Sequence, residues 1–181
     1  QMAEMFTISR PAIATEQTST DRTRKWLMKF ADGKMAEAVH IPDNDRGAVC
    51  MSAQVGCTLT CKFCHTGPQR MVRNLTPAEI GGQFMLARDS YGEWPSSHEP
   101  RQLTNIVMMG MGEPLYNYDN IVQALRIIMD EEGINVSRRR ITLSTAGVVP
   151  MIPQVGADLG VQLAISLHAV NDDLRNEIVP I

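Results

Sequence analysis

Three cysteines in eight residues, Cys57-Thr-Leu-Thr-Cys61-Lys-Phe-Cys64, constrain this chain more than any other feature. With the spacing C-x3-C-x2-C, their thiols reach one object only if the backbone loops around it. Thiolates favour soft metals and iron–sulfur clusters. A cluster cage ordinarily takes four cysteines, so three point to a [4Fe–4S] cube with one iron open to a small chelating molecule. Zinc is the competing reading, with Cys50 and His65 completing a set, although zinc fingers and ribbons normally pair C-x2-C or Cys/His spacings.

The chain has 181 residues and is 44% hydrophobic, enough for one domain with a substantial core. All four cysteines fall between Cys50 and Cys64. A disulfide framework ties distant segments together, so this clustering argues for a reduced, cytosolic site. No apolar run is long enough to span a bilayer and no signal peptide is evident, so the expected protein is soluble and needs no membrane. The net charge of −3 gives no reason by itself to expect nucleic acid. Acids are nevertheless missing from Gly47 to Ala78, where Lys62, Arg70 and Arg73 stand, and from Gly133 to Gly156, where Arg138, Arg139 and Arg140 stand together. Two basic islands in an acidic chain suit a polyanion as well as they suit solvated arginines beside a strand.

Residues 1–23 are polar and without periodicity, and the lack of an initiator Met suggests a piece of a longer chain. Lys25–Phe30, Ala31-Asp-Gly-Lys34 and Met35–Ile41 read as a hairpin with an Asp-Gly turn. A second turn, Pro42–Gly47, leads to a strand over Ala48–Val55. After the cysteines, Thr76, Pro77 and Glu79 form a capping box that opens a helix running to about Ser90. A strand at Asn105–Met109 follows, then a helix capped by Asp119 or Asn117 and stopped at Gly133. Further strands over Arg140–Ser144 and Val161–Leu167 flank a helical turn over Pro150–Val155, and a last helix starts at Asn171. Alternating helices and near-continuous apolar strands predict an α/β fold with a parallel sheet covered by helices. In such folds sites lie at the carboxyl ends of strands. Here those ends carry the cysteines, Gly110–Pro114, Ser144–Gly147 and Ser166–His168.

Met109-Gly-Met-Gly-Glu-Pro114 brings backbone close to a ligand through its glycines and offers Glu113 to an ammonium group. Taken singly, Ser144 and Ser166 either face a ligand or satisfy backbone, and His168 either binds a ribose or closes a rim. Cys50 reads as a core residue or a reactive thiol. Glu37 reads as a solvated strand residue.

Together, C-x3-C-x2-C, MGMGEP, RRITLSTAGVVP and LAISLHA resemble the radical S-adenosylmethionine enzymes that methylate adenosine in RNA. The chain is most similar to their RlmN branch, which acts on adenine C2 in 23S ribosomal RNA and transfer RNA. The resemblance covers roughly Met35 to Ile181. It implies a partial (β/α)6 barrel behind a small β-meander, with residues 1–46 as extension and hairpin and 47–181 as the front part of the barrel, about four of six strands.

By that resemblance Cys57, Cys61 and Cys64 hold the [4Fe–4S] cluster. Gly112, Glu113, Ser144, Ser166, Leu167 and His168 contact S-adenosylmethionine, Glu37 accepts a proton, and Cys50 resolves a protein–RNA adduct through a transient disulfide. The chemistry implied is radical, because electron-poor C2 cannot attack a methyl sulfonium: a 5′-deoxyadenosyl radical takes hydrogen from a methylated cysteine, whose methylene then adds to the ring. An electron donor such as flavodoxin and a cytoplasmic setting follow from the same likeness. The methyl-carrying cysteine lies near the family's carboxyl terminus, and no cysteine follows Cys64. The expectation is therefore the front part of a longer enzyme, not competent for methyl transfer alone. The Cfr-type C8 methyltransferases share these motifs, and a radical enzyme acting on a non-RNA substrate is the other alternative.

Overall fold

The computed structural model describes residues 8–44, 46–94 and 101–181. One seven-stranded sheet runs through them, in the order β1 (Ala12–Thr18), β2 (Arg24–Lys29), β3 (Met35–Asp43), β4 (Arg46–Cys50), β7 (Asn105–Met108), β8 (Ile141–Thr145), β9 (Gln162–Ile165). The hairpin forms as its sequence dictates. β2 (Arg24–Lys29) and β3 (Met35–Asp43) pair antiparallel around a turn in which Asp32 accepts a 3.0 Å bond from the Lys34 N–H. Period-two alternation puts Trp26, Met28, Ala36 and Ala38 in the core. β1 (Ala12–Thr18) was not legible, since all seven of its residues are exposed and no alternation marks it; it is held by backbone pairing to β2, with an ion pair between Glu16 and Arg24 across the pair.

β4 (Arg46–Cys50) pairs antiparallel with β3 and parallel with β7 (Asn105–Met108). β8 (Ile141–Thr145) and β9 (Gln162–Ile165) continue the parallel run. The meander and the four-stranded parallel sheet are thus one surface. The strand expected over Ala48–Val55 is broken. It leaves the sheet after Cys50, and β5 (Gln54–Val55) pairs instead with β6 (Arg73–Asn74) in a separate ladder. The break has a cause in hydrogen bonding: Ala53 and Gln54 both donate backbone N–H to Met111 O, at 2.8 and 3.1 Å, following the turn after β7 rather than the sheet.

α1 (Pro77–Tyr91) begins with the expected reciprocal box between Thr76 and Glu79 and ends at Gly92 in the left-handed region, φ 66°. α2 (Tyr118–Met129) buries Ile121, Leu125 and Ile128 at helical spacing. Asn117 stands at its N-cap position but makes no side-chain cap bond. Its amide donates instead to Ala53 O and Leu75 O, 2.8 Å each. The helix stops at Met129 rather than Gly133. α3 (Ile152–Asp158) and α4 (Asp172–Ile178) are short, and Asn171 caps α4 with a 2.9 Å bond from the Leu174 N–H.

The core lies between helices and sheet, where Ile80, Phe84, Ile106, Met108, Ile141 and Leu143 are fully buried. Each such side chain contributes about 1.5–3 kcal/mol relative to exposure. Leu163 and Ile165, on the outermost parallel strand, remain 38% and 55% exposed. Among the described residues no helix is long and apolar enough to cross a membrane.

Candidate metal centre

At the carboxyl ends of β4, β7, β8 and β9 the chain encloses a cavity of about 310 Å³, and Cys57, Cys61 and Cys64 all line it. The cysteine loop turns through a 3.2 Å bond from Cys64 N to Cys61 O and a 3.0 Å bond from Gly67 N to Cys64 O. Gly67 is required there, because a Cβ would press into the Cys61 carbonyl. The Leu59 N–H donates to Cys57 Sγ at 3.3 Å, the kind of bond that tunes cluster sulfurs. Burial pushes the Cys57 and Cys61 thiols up, the neighbouring thiols add to this, and backbone N–H groups oppose it.

Three cysteines lining one cavity fit an iron–sulfur cube with one iron left to another ligand. Among the described residues no three His, Cys, Asp or Glu side chains converge on a single ion. That disfavours the zinc set with Cys50 and His65, neither of which lines the cavity. A cube is wider than an ion, so its thiolates need not meet at a point.

Across the cavity stands the glycine-rich loop after β7. Gly112 has φ 91°, and a Cβ on it would lie 2.5 Å from Gln54 Cβ. Glu113 is only 3% exposed and both its oxygens are engaged: Oε1 accepts the Leu115 N–H at 3.0 Å, and Oε2 the Ala146 N–H at 2.7 Å. The carboxylate thus joins the loops that follow β7 and β8 before any ligand arrives. Ser144, Ser166 and His168 complete the same wall, with the His168 ring tilted against Phe63 at 4.2 Å between centroids. Leu167 does not line this cavity and is 59% exposed.

Cys50 and Glu37 lie outside the cavity but on the sheet face that opens toward it. Register makes this explicit, because paired residues project to the same side. Val39 pairs with Cys50, Cys50 with Val107, and Val107 with Thr142, two residues before Ser144. Glu37 is two residues from Val39, about 7 Å along the strand, and its carboxylate pairs with Lys25 at 3.2 Å. Burial raises the Cys50 thiol, a backbone bond at Met109 partly countering it. The disulfide implied for Cys50 is not present: all four cysteines are free.

Several residues that shape this site escaped the sequence. Gln54 bonds the cysteine loop and the glycine loop at once. Arg175 of α4 donates to Ala146 O and, at 3.3 Å, to Ser166 O, tying two strand ends together. Lys62 reaches Glu177 at 2.8 Å, and its N–H reaches Ile178 O at 3.0 Å. An amide that bonds backbone 59 residues away, or a guanidinium that bonds backbone 29 residues away, leaves no local pattern. The first basic island is also largely neutralised, since Lys62 pairs with Glu177 and Arg73 with Asp32 and Glu79. Arg138, Arg139 and Arg140 form an exposed turn before β8, on the opposite rim, about 15 Å away by strand length.

Residues 51–180 match the radical SAM superfamily. The chain belongs to the radical SAM superfamily. Its parallel sheet and strand-end cysteines are the partial barrel expected of that membership. Over all of its length it is 65% identical to a protein from Rhodospirillum rubrum named dual-specificity RNA methyltransferase RlmN, and 66% identical to one so named from Gluconobacter oxydans. It spans 42% and 46% of those relatives, less than half of each. The crystal structure of a radical SAM methyltransferase from Sphaerobacter thermophilus superposes with a TM-score of 0.90 at 42% identity, covering 99% of this chain and 52% of that one.

Proposed function

We propose that this radical SAM chain carries the cluster and the S-adenosylmethionine site of an RNA methyltransferase that acts on adenine C2 in 23S ribosomal RNA and transfer RNA, through a methyl-cysteine. The observation that carries the reading is the single cavity in which Cys57, Cys61 and Cys64 face Gly112, Glu113, Ser144, Ser166 and His168. The names of these relatives support the RNA substrate. When bound, the cluster supplies the electron that cleaves S-adenosylmethionine, delivered by a donor such as flavodoxin in the cytoplasm.

The chain's own residues bind and orient. Cys57, Cys61 and Cys64 hold the cluster. Glu113, already fixed by two backbone N–H groups, receives the amino group of S-adenosylmethionine beside Gly112. Ser144, Ser166 and His168, which line the cavity, hold its nucleoside part, with Leu167 outside the cavity wall between the last two. Glu37 takes the C2 proton, and the Cys50 thiol, on the same sheet face, releases the product.

The test is anaerobic reconstitution of the purified protein with iron and sulfide, followed by dithionite and S-adenosylmethionine. A brown protein that releases 5′-deoxyadenosine is expected; a colourless protein that takes up zinc overturns the reading. With the whole enzyme, RNA deuterated at C2 or at C8 of adenine then fixes the position, and loss of the C8 label would place it among the C8 enzymes.

A further inference from the structure

We propose that Gln54 is a positioning residue that sets the spacing of the cysteine loop from the glycine-rich loop, and so seats S-adenosylmethionine on the cluster. The inference rests on the proposed function of the site. Gln54 is fully buried, and its side chain is shared among three segments. Its Oε1 accepts the Thr58 N–H at 3.2 Å and the Glu113 N–H at 3.1 Å, with Thr58 Oγ1 at 2.9 Å. Its Nε2 donates to Asn74 Oδ1 at 2.8 Å, and Asn74 in turn donates to Tyr116 O at 3.2 Å. The amide orientation follows from these donors: turned over, Nε2 would face two N–H groups.

Thr58 directly follows the first cluster cysteine, and Glu113 is the carboxylate assigned to the ligand's amino group. One carbonyl oxygen therefore fixes the backbone on both sides of the place where metal and ligand meet. The fit is close, because Gly112 leaves no room for a Cβ beside the Gln54 side chain. Among the described residues, Gln54 Oε1 is the acceptor that both backbone N–H groups share, and it holds the two loops in register. A ligand that chelates one iron while its amino group rests on Glu113 requires that register in advance. Gln54 does not line the cavity itself, so it acts through the two loops.

The test uses the reconstituted protein and the electron paramagnetic resonance spectrum of its reduced cluster during titration with S-adenosylmethionine. Gln54→Leu, which keeps the bulk and removes the bonds, should retain its iron and sulfide. It should need roughly tenfold more S-adenosylmethionine for the spectral change, the effect of about one lost hydrogen bond. Asn74→Ala leaves Gln54 in place but frees its amide to turn, and should shift the titration in the same direction by a smaller factor. A Gln54→Leu protein that titrates like the wild type overturns the proposal. If Gln54→Leu cannot hold a cluster, wild-type titration by Asn74→Ala overturns it instead. A wild-type protein that holds its cluster yet shows no response to S-adenosylmethionine would remove the proposed function, and this inference with it.

Discussion

The cysteine loop, residues 57–70, and the glycine-rich loop, residues 109–114, face one cavity but are held in opposite ways. The glycine-rich loop is anchored at its carboxyl half, where Glu113 and Pro114 are buried, although Met109 and Gly110 are exposed. Met111 receives two backbone N–H groups and gives its own to Ser52 Oγ at 2.9 Å, and Glu113 spends both oxygens on backbone. The cysteine loop has turn bonds, the Thr58 bonds to Gln54 at its start, one isolated bridge from Cys57 to Arg70, and a tether to α4 through Lys62. Thr58, Thr60, Lys62, Phe63 and His65 are exposed. A loop with so little burial has little of its own to offset its ordering entropy, so binding at the thiols supplies the remainder. One wall of the site is preorganised by the protein, and the other is completed by what it holds.

The largest effect follows directly. Cys57→Ala, Cys61→Ala and Cys64→Ala should each abolish iron and sulfide binding, because two thiolates hold a cube poorly, whereas Cys50→Ala should leave the metal content unchanged. Hydrogen exchange should then separate the two loops. Without the cluster, residues 57–70 exchange quickly while residues 105–114 stay protected. Equal loss of protection in both loops would break the comparison.

Next in size is Glu113→Ala. It leaves the N–H groups of Leu115 and Ala146 without their acceptor and should lower stability by about 2–5 kcal/mol, read by urea unfolding. Because the carboxylate joins two strand-end loops, the damage should reach Ala146 and not the cysteine turn. Stability close to wild type would show that the glycine loop is not held by its own carboxylate.

This difference between the loops also explains what was legible in the sequence. Motifs that bind, C-x3-C-x2-C and MGMGEP, fall in consecutive residues, and so does the Thr76–Glu79 box. Period-two alternation marks Trp26 and Met28, and helical spacing marks Ile121, Leu125 and Ile128. Contacts that hold the motifs in place are different in kind. Gln54 to Glu113, Arg175 to Ala146 and Asn117 to Ala53 each depend on distant backbone that only the fold supplies. β1 was hidden because an exposed strand carries no hydrophobic pattern. The acid-free stretch from Gly47 to Ala78 suggested a free basic surface, yet its Lys62 and Arg73 meet carboxylates from Glu177, Asp32 and Glu79.

Cys50 offers a smaller and sharper test. Burial disfavours its thiolate, so alkylation should lag that of an unfolded thiol near neutrality. It should rise only as the pH passes above the ordinary thiol range. With the other three cysteines occupied by the cluster, iodoacetamide labelling followed by mass spectrometry reads this one site. Fast labelling at neutral pH would mean that the open sheet face admits more water than its burial indicates.

The smallest effect concerns the exit of the cysteine loop, where Arg73 does for this loop a little of what Glu113 does for the other. Its guanidinium bonds both oxygens of Glu79 at 2.8 Å and Asp32 at 2.7 Å, joining β6 to the first turn of α1 and to the β2–β3 turn. Burial works against the charge on Glu79, but Arg73 and the Thr76 N–H outweigh it and hold the carboxyl low. Asp32 is drawn down to about 2, first by Arg73 and then by the Lys34 N–H. Both folded values lie below the unfolded ones. Their stabilising contribution is therefore complete above the ordinary carboxylate range and is lost as pH falls toward 2. These groups are partly exposed and screened by salt, so Arg73→Ala should cost only about 0.5–1 kcal/mol through its Glu79 pair. The loss should be seen at neutral pH and shrink toward pH 2, where the wild type also loses the contact. A cost that does not change with pH would assign the anchoring to the Arg73 guanidinium over Phe30, 5.7 Å from the ring centroid, and not to its carboxylate partners.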